Sequence, residues 1–116
     1  MTTTPLDPAL EVHIDLSACA NKRDLLDRFA TALHFPAWFG HNWDAMHDCL
    51  TDLSWLPASA YQLVLAHPAL LREHEPETLA SALQVLGNAA AFWAGEGIAF
   101  TVDMIEDDPS GPPAPI

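Results

Sequence analysis

The feature that most constrains the fold is the alternation of strand-like and helix-like segments along the chain. Residues 11–16 alternate polar and apolar side chains, residues 61–65 form a mostly apolar run, and residues 98–105 form a third. Segments with helical periodicity separate these three runs. Strands joined through helices favour a parallel sheet with right-handed crossovers. The sequence therefore predicts an α/β fold, with a small three-stranded parallel sheet packed against helices that lie mainly on one side.

Three helices are predicted between the strands. The first covers residues 24–33 and ends before Pro36, because the residue before a proline avoids the helical region. The second runs over residues 43–53 and follows Asn42, a residue type that is favoured at the N-cap. The third covers residues 76–94 and begins with a proline, which suits the first helical position.

The length of 116 residues fits one domain, and with half of the residues apolar the chain can build a core without metal or disulfide support. The predicted domain spans residues 11–105. Residues 1–10 are expected to be a flexible lead-in, and residues 106–116, which are acidic and rich in proline, a disordered tail.

The two cysteines suit a reducing compartment. Cys19 and Cys49 lie far apart in sequence and form no C-x-x-C pair. The N-terminus lacks a basic segment followed by an apolar one, so no signal peptide is predicted. No apolar run approaches the length of about 20 residues that a membrane helix needs. These observations favour a soluble cytoplasmic protein.

The charge is strongly negative, with 16 acidic residues, four basic residues and a formal net charge of −12. Such a chain repels a phosphate backbone, so direct binding to nucleic acid is not expected. The same field attracts a basic protein and accelerates the encounter. On charge alone, simple solubility remains an alternative explanation.

The segment with the most functional information is residues 38–52. On the predicted helix, Asp44, Asp48 and Asp52 are spaced at i, i+4 and i+8, which places three carboxylates in one stripe. Like charges at this spacing destabilise a helix by about 0.2–0.5 kcal/mol per pair, and no lysine or arginine lies in the segment to relieve them. Trp38 and Phe39 directly precede the helix, and one of them is expected to enter the core. An exposed aromatic beside acids is typical of a protein interface, although such a stripe can also be a solvated face.

A resemblance to a known family lies in residues 36–51, which have the sequence PAWFGHNWDAMHDCLT. This segment resembles the signature of the barstar family, the intracellular inhibitors of barnase-type ribonucleases. The similarity extends over residues 11–105. It implies a three-stranded parallel sheet packed on helices, no cofactor, no enzymatic activity, and a 1:1 complex between a monomer and a basic secreted ribonuclease or a ribonuclease toxin domain.

The resemblance also implies roles for individual residues. Asp48 corresponds to the family's central inhibitory aspartate, which occupies a phosphate-binding position in the ribonuclease. Asp44 corresponds to a second acid that pairs with a basic residue of the enzyme. Trp38 corresponds to an aromatic residue, tyrosine in the archetype, that packs over the catalytic histidine. Gly40 and Asn42 correspond to contact positions in the loop and at the helix cap.

The sequence departs from the family pattern at several positions. His47 and Leu53 replace interface tryptophans, and Asp52 replaces a glycine. Alignment on residues 83–85 places Ala80 where the archetype has a third acid, with Glu77 one turn away as a possible substitute. The predicted partner-binding residues are Trp38, Gly40, Asn42, Trp43, Asp44, His47, Asp48 and Glu77.

Three alternatives remain open at the level of sequence. His41, Asp44, His47 and Asp48 could approach one another near the start of the helix and bind zinc or another divalent ion, although their spacing matches no standard zinc signature. Two adjacent aspartates could act as an acid and base pair, but no oxyanion donors, phosphate loop or activated nucleophile accompany them. An acidic protein-interaction module with a partner other than a ribonuclease is the third alternative.

Overall fold

The computed structural model describes residues 9–105. Its elements, in chain order, are β1 (Ala9–Asp15), α1 (Lys22–Leu33), α2 (Trp43–Leu50), β2 (Ala60–Ala66), α3 (Ala69–His74), α4 (Pro76–Gly95) and β3 (Ala99–Ile105). Strand β1 begins at Ala9, so Ala9 and Leu10 belong to the sheet and not to the predicted lead-in. The rest of that lead-in and the predicted tail at 106–116 lie outside the described residues.

The three strands form one parallel sheet in the order β1-β2-β3. The register is continuous across the sheet: Val12 pairs with Leu63, and Leu63 pairs with Val102. Helices connect each strand to the next along the chain. The predicted α/β class and the three-stranded parallel sheet are therefore confirmed.

Apolar residues at alternate positions give the sheet its buried face. Ile14, Leu63 and Leu65 are fully buried in a cluster that includes Phe29 of α1 and Leu86 of α4. This core lies between the sheet and the helices. Helix α2 contributes Met46, Cys49 and Leu50 to this core, and its opposite surface is exposed.

The opposite face of the sheet carries polar and charged side chains interspersed with apolar ones. His13 Nε2 lies 2.6 Å from Glu11 Oε2, and Gln62 Nε2 donates to Asp103 Oδ2 at 2.8 Å. This face also carries two branched apolar side chains: Val64, which is only 4% exposed, and Ile105, which is 50% exposed. Parallel sheets are usually covered by helices on both faces and carry apolar side chains on both. In this sheet, more buried and more exposed side chains alternate along β1 and β3, as they do in a sheet with one solvent-exposed face.

The helices predicted from the sequence differ from those of the structure in two respects. Helix α3 was not predicted at all, and α2 ends at Leu50, about three residues before the predicted end. Helix α1 begins two residues earlier than predicted, with Asn21 as its N-cap, and ends as expected before Pro36. Within residues 9–105, no helix combines the length and the apolar character required to cross a bilayer.

Three aromatic side chains fix the positions of the helix ends and of the α2–β2 connection by hydrogen bonds to backbone carbonyl groups. Trp55 Nε1 donates to the oxygen of Leu33 at 3.0 Å. Trp93 Nε1 donates to the oxygen of Leu50 at 2.8 Å, and the hydroxyl of Tyr61 donates to the oxygen of Leu56 at 2.8 Å. Orphan carbonyls at a helix C-terminus need such partners, so these bonds both satisfy α1 and α2 and hold α2 against α4.

Candidate functional site

The start of α2 is fixed by its cap. Asn42 Oδ1 accepts a hydrogen bond from the backbone N–H of Ala45 at 2.7 Å, and its Nδ2 donates to the oxygen of Gly40 at 3.3 Å. A Cβ added at Gly40 would lie 3.3 Å from Asn42 Nδ2, so a larger residue there would press on the cap. The loop and the helix are therefore joined through one side chain, that of Asn42.

Two carboxylates occupy the outer surface of α2. Asp44 and Asp48 are both exposed and lie one turn apart. The ion pairs among residues 9–105 involve Glu11 and Asp27, and neither Asp44 nor Asp48 takes part in one. Asp44 lies in the first turn, where the helix dipole stabilises negative charge. The outer surface of α2 thus carries two carboxylates that form no ion pair with any residue in 9–105.

The third predicted member of the stripe, Asp52, is not on the helix. The Thr51 hydroxyl donates to the oxygen of His47 at 2.9 Å as α2 ends, and Leu53 adopts a left-handed backbone with φ 51° and is buried. Asp52 Oδ1 instead accepts from the N–H of Ser54 at 3.3 Å. The helical stripe therefore has two acids, and the prediction of three was wrong because the chain turns to bury Leu53.

The two aromatic residues before α2 have opposite environments. Phe39 enters the core and meets Phe35 edge to face, with ring centroids 4.9 Å apart. Trp38 is 61% exposed. The expectation that one of them enters the core is confirmed, and Trp38 is the one that remains available beside the acids.

The conformation of this loop depends on a histidine whose role the sequence did not indicate. His41 has a left-handed backbone with φ 53°, its ring lies 4.8 Å from that of Phe39, and its Nε2 is 2.7 Å from Asp27 Oδ1. Asp27 also lies 3.8 Å from Arg23 Nε. No pattern in the sequence marks a long-range contact between a loop and α1, so a structure was needed to find it.

Trp43 and His47 are half-buried on α2. The ammonium group of Lys22 lies 5.0 Å from the centroid of the Trp43 ring, within the range of a cation–π contact. Lys22 also donates its backbone N–H to Glu75 Oε1 at 3.1 Å, which ties the start of α1 to the start of α4. Trp43 is thus partly covered from within the molecule, and only part of its ring can meet a partner.

Glu77 lies at the start of α4, far along this helix from Trp93, which contacts the end of α2. It is exposed in the first turn of α4, whereas α4 meets the end of α2 through the bond from Trp93 to Leu50. The sixteen residues from Glu77 to Trp93 span about 24 Å along the helix axis. The structure therefore brings together the loop and the α2 residues of the predicted set and leaves Glu77 at the other end of α4.

The described residues offer no cluster for a metal ion. Nowhere in residues 9–105 do three or more histidine, cysteine or acidic side chains come together as a possible metal site. His41 faces Asp27 rather than the acids of α2. Cys49 is a neutral thiol, because burial and then the nearby carboxylates of Asp48 and Asp52 raise its pKa to about 11. Burial likewise raises the pKa of Cys19. The metal-site alternative finds no support in this geometry.

The fold and this surface define a class: a small α/β protein with a parallel three-stranded sheet, whose acidic helix is exposed and not neutralised. Comparison with protein families gives a match to the family described as Barstar (barnase inhibitor) over residues 9–105. The chain belongs to the barstar family. Members of that family are inhibitors of barnase-type ribonucleases and not enzymes. None of the curated proteins compared with the chain matches it significantly.

Proposed function

We propose that this protein inhibits a basic ribonuclease of the barnase type by placing Asp44 and Asp48 where the phosphates of RNA would bind. The observation that supports this most directly is that both carboxylates are exposed on one rigid helix and form no ion pair with the described residues. Had they been buried in internal contacts, they would be unavailable to any partner.

The chemistry of the target explains why carboxylates suffice. A ribonuclease stabilises a phosphate that gains charge in the transition state, so its cleft presents arginine, lysine and histidine donors. A carboxylate satisfies the same donors and offers no bond to cleave, and the forked contact with arginine is the strong form of this interaction. In this proposal, Asp48 occupies a phosphate position and Asp44 pairs with a second cation.

The remaining predicted residues surround these two acids. Trp38 would stack on the enzyme beside its basic cleft, because its ring is exposed and its loop is held by the cap and by His41. Gly40, Asn42 and His47 would contribute contacts around it. Trp43 would contribute the part of its ring that Lys22 leaves uncovered, and Glu77 would require a partner wide enough to reach the start of α4.

The partner in this proposal is a secreted ribonuclease or a ribonuclease toxin domain, bound 1:1 by a monomer in the cytoplasm. Nucleic acid is not a direct partner, because the net charge of −12 repels it. The acidic surface also steers a basic enzyme into the encounter.

The test is inhibition of RNA cleavage by barnase and by barnase-type ribonucleases of the source organism. Wild-type protein should abolish cleavage at equimolar ratio by at least one of them. Asp48→Asn, which removes the charge and keeps the shape, should weaken binding by about tenfold to a hundredfold, the range expected for a hydrogen bond to a charged group.

A matched control separates the site from net charge. Glu73→Gln removes one negative charge from α3, well away from α2 in sequence, and should leave inhibition unchanged. Full cleavage by every one of these enzymes in the presence of excess wild-type protein would overturn the proposal. Equal effects of Asp48→Asn and Glu73→Gln would show that only the overall charge matters.

A further inference from the structure

Exposed large apolar side chains are few on this molecule, and their positions are informative. Among residues 9–105 they are Trp38, Phe92 and Ile105, with exposed fractions of 61%, 42% and 50%. Trp38 lies in the loop that leads into the start of α2. Phe92 lies near the end of α4, and Ile105 ends β3.

Two contacts place Phe92 beside the end of α2. Its ring lies 5.2 Å from that of Trp93, in an edge-to-face arrangement with an interplanar angle of 82°. Trp93 Nε1 in turn donates to the oxygen of Leu50, the last residue of α2. Because Trp93 is also held against Tyr61, with ring centroids 5.4 Å apart, this arrangement is fixed by packing.

The row of acids on α2 therefore has an exposed aromatic residue near each end. Trp38 lies toward the start of the helix, where Asp44 is located, and Phe92 lies toward its end, which follows Asp48. The neighbouring exposed positions of α4 are small or uncharged, namely Gly87, Asn88, Ala91, Ala94 and Gly95. The first charged residue after Phe92 is Glu96, the exposed C-cap of α4, so a partner that meets this part of α4 finds an apolar contact with one carboxylate at the end of the helix.

We propose that Phe92 is a second aromatic contact of the same ribonuclease interface. This inference rests on the proposed function and adds a property of the partner: the ribonuclease has an apolar patch beside its basic cleft, on the side that meets α4. The support is the exposure of the Phe92 ring and its continuity with the end of α2 through Trp93.

An apolar contact and an ionic contact differ in kinetics, and this difference gives the test. Phe92→Ser should raise the dissociation constant for the inhibited ribonuclease about tenfold, since burial of a phenylalanine ring contributes that much or more. The change should lie in the dissociation rate, while the association rate and its salt dependence stay at their wild-type values. Phe92→Leu, which keeps an apolar side chain, should restore most of the affinity.

Ile105→Ser is the matched control, because it also removes an exposed large apolar residue but from the end of β3. It should not alter dissociation. Near-ultraviolet circular dichroism and thermal melting of each variant would establish that the fold is intact.

The outcomes separate this inference from the proposed function. Unchanged dissociation of Phe92→Ser, with Asp48→Asn still weakened, would overturn the inference and leave the inhibitor intact. A wild-type dimer that Phe92→Ser converts to a monomer, without effect on the ribonuclease, would overturn it by assigning Phe92 to contact between copies. Failure of the wild-type protein to inhibit any of the ribonucleases would overturn both.

Discussion

At the scale of single residues, the exposed Trp38 depends on side chains that do not themselves face a partner. His41 adopts a left-handed backbone, which is uncommon outside glycine, and two contacts hold it there: Asp27 at 2.7 Å and the ring of Phe39. A loop fixed before binding loses less conformational entropy in the complex. His41 and Asp27 are therefore positioning residues in the proposed interface.

The substitution His41→Asn tests this role. Asparagine tolerates the left-handed backbone, so the main effect is loss of the contacts with Asp27 and Phe39. We expect the dissociation constant for the ribonuclease to rise about fivefold, which corresponds to about 1 kcal/mol of ordering that must now occur on binding. Calorimetric titration gives the affinity, and hydrogen exchange at residues 38–41 should show reduced protection.

His34→Asn is the control for this experiment, because His34 has the same backbone conformation with φ 55° at the end of α1. It should change neither the affinity nor the protection of the loop. Should His41→Asn bind the ribonuclease with wild-type affinity and retain its slow amide exchange, the loop is held by other contacts and the positioning role is refuted.

The sequence identified the pair Trp38 and Phe39 but could not decide which of them is exposed. A loop has no periodicity that assigns its side chains to one side. The choice depends on Phe35, which lies just after the end of α1 and meets Phe39 edge to face. For the same reason, proximity in sequence suggested that His41 could lie near the acids of α2. Its partner in the structure is Asp27, fourteen residues earlier in the chain.

At the scale of elements, the start of α2 was predictable and its end was not. The N-cap signal is local, because Asn42 bonds to an N–H three residues later. The apolar periodicity continues to Leu53, but the helix does not. Leu53 is buried because the chain adopts a left-handed backbone conformation at this residue, after the helix has ended. Helix α3 escaped prediction because it has only six residues and no side-chain cap.

The two asparagine caps allow a matched comparison between helices. Asn42→Ala and Asn21→Ala each remove a hydrogen bond from a cap side chain, at 2.7 Å and 2.9 Å respectively. Each should lower the free energy of unfolding by about 1 kcal/mol, measured by urea denaturation. Asn42→Ala alone should also weaken ribonuclease binding, because α2 presents the acids and α1 does not.

Calorimetric titration of both variants distinguishes local from global effects. An equal loss of affinity in Asn21→Ala would mean that affinity follows overall stability, and the special role of the α2 cap would have to be abandoned. Unaltered binding by Asn42→Ala would mean that α2 reaches its bound geometry without its cap.

At the scale of the whole molecule, the parallel sheet and the net charge were both predictable from the sequence, whereas the strand order was not. The parallel sheet followed from strands that alternate with helices, and its β1-β2-β3 order follows the order of the strands in the chain. The distribution of charge required the structure. Lys22 lies over Trp43 and Arg23 lies near Asp27, so two of the four basic residues are engaged around the loop and the start of α2, and neither pairs with Asp44 or Asp48.

This distribution predicts a strong effect of salt on association. The net charge of −12 should guide a basic ribonuclease toward α2, and ions screen that attraction as the Debye length falls from about 30 Å at 0.01 M to about 3 Å at 1 M. Across this range, stopped-flow measurements should show the association rate falling at least about tenfold, with a much smaller change in dissociation. Phe92→Ser should follow the same salt curve as the wild-type protein, since it removes no charge. A flat association rate would mean that the acidic surface does not guide the encounter, and the affinity would then have to come from the contacts of α2 and its two flanking aromatics alone.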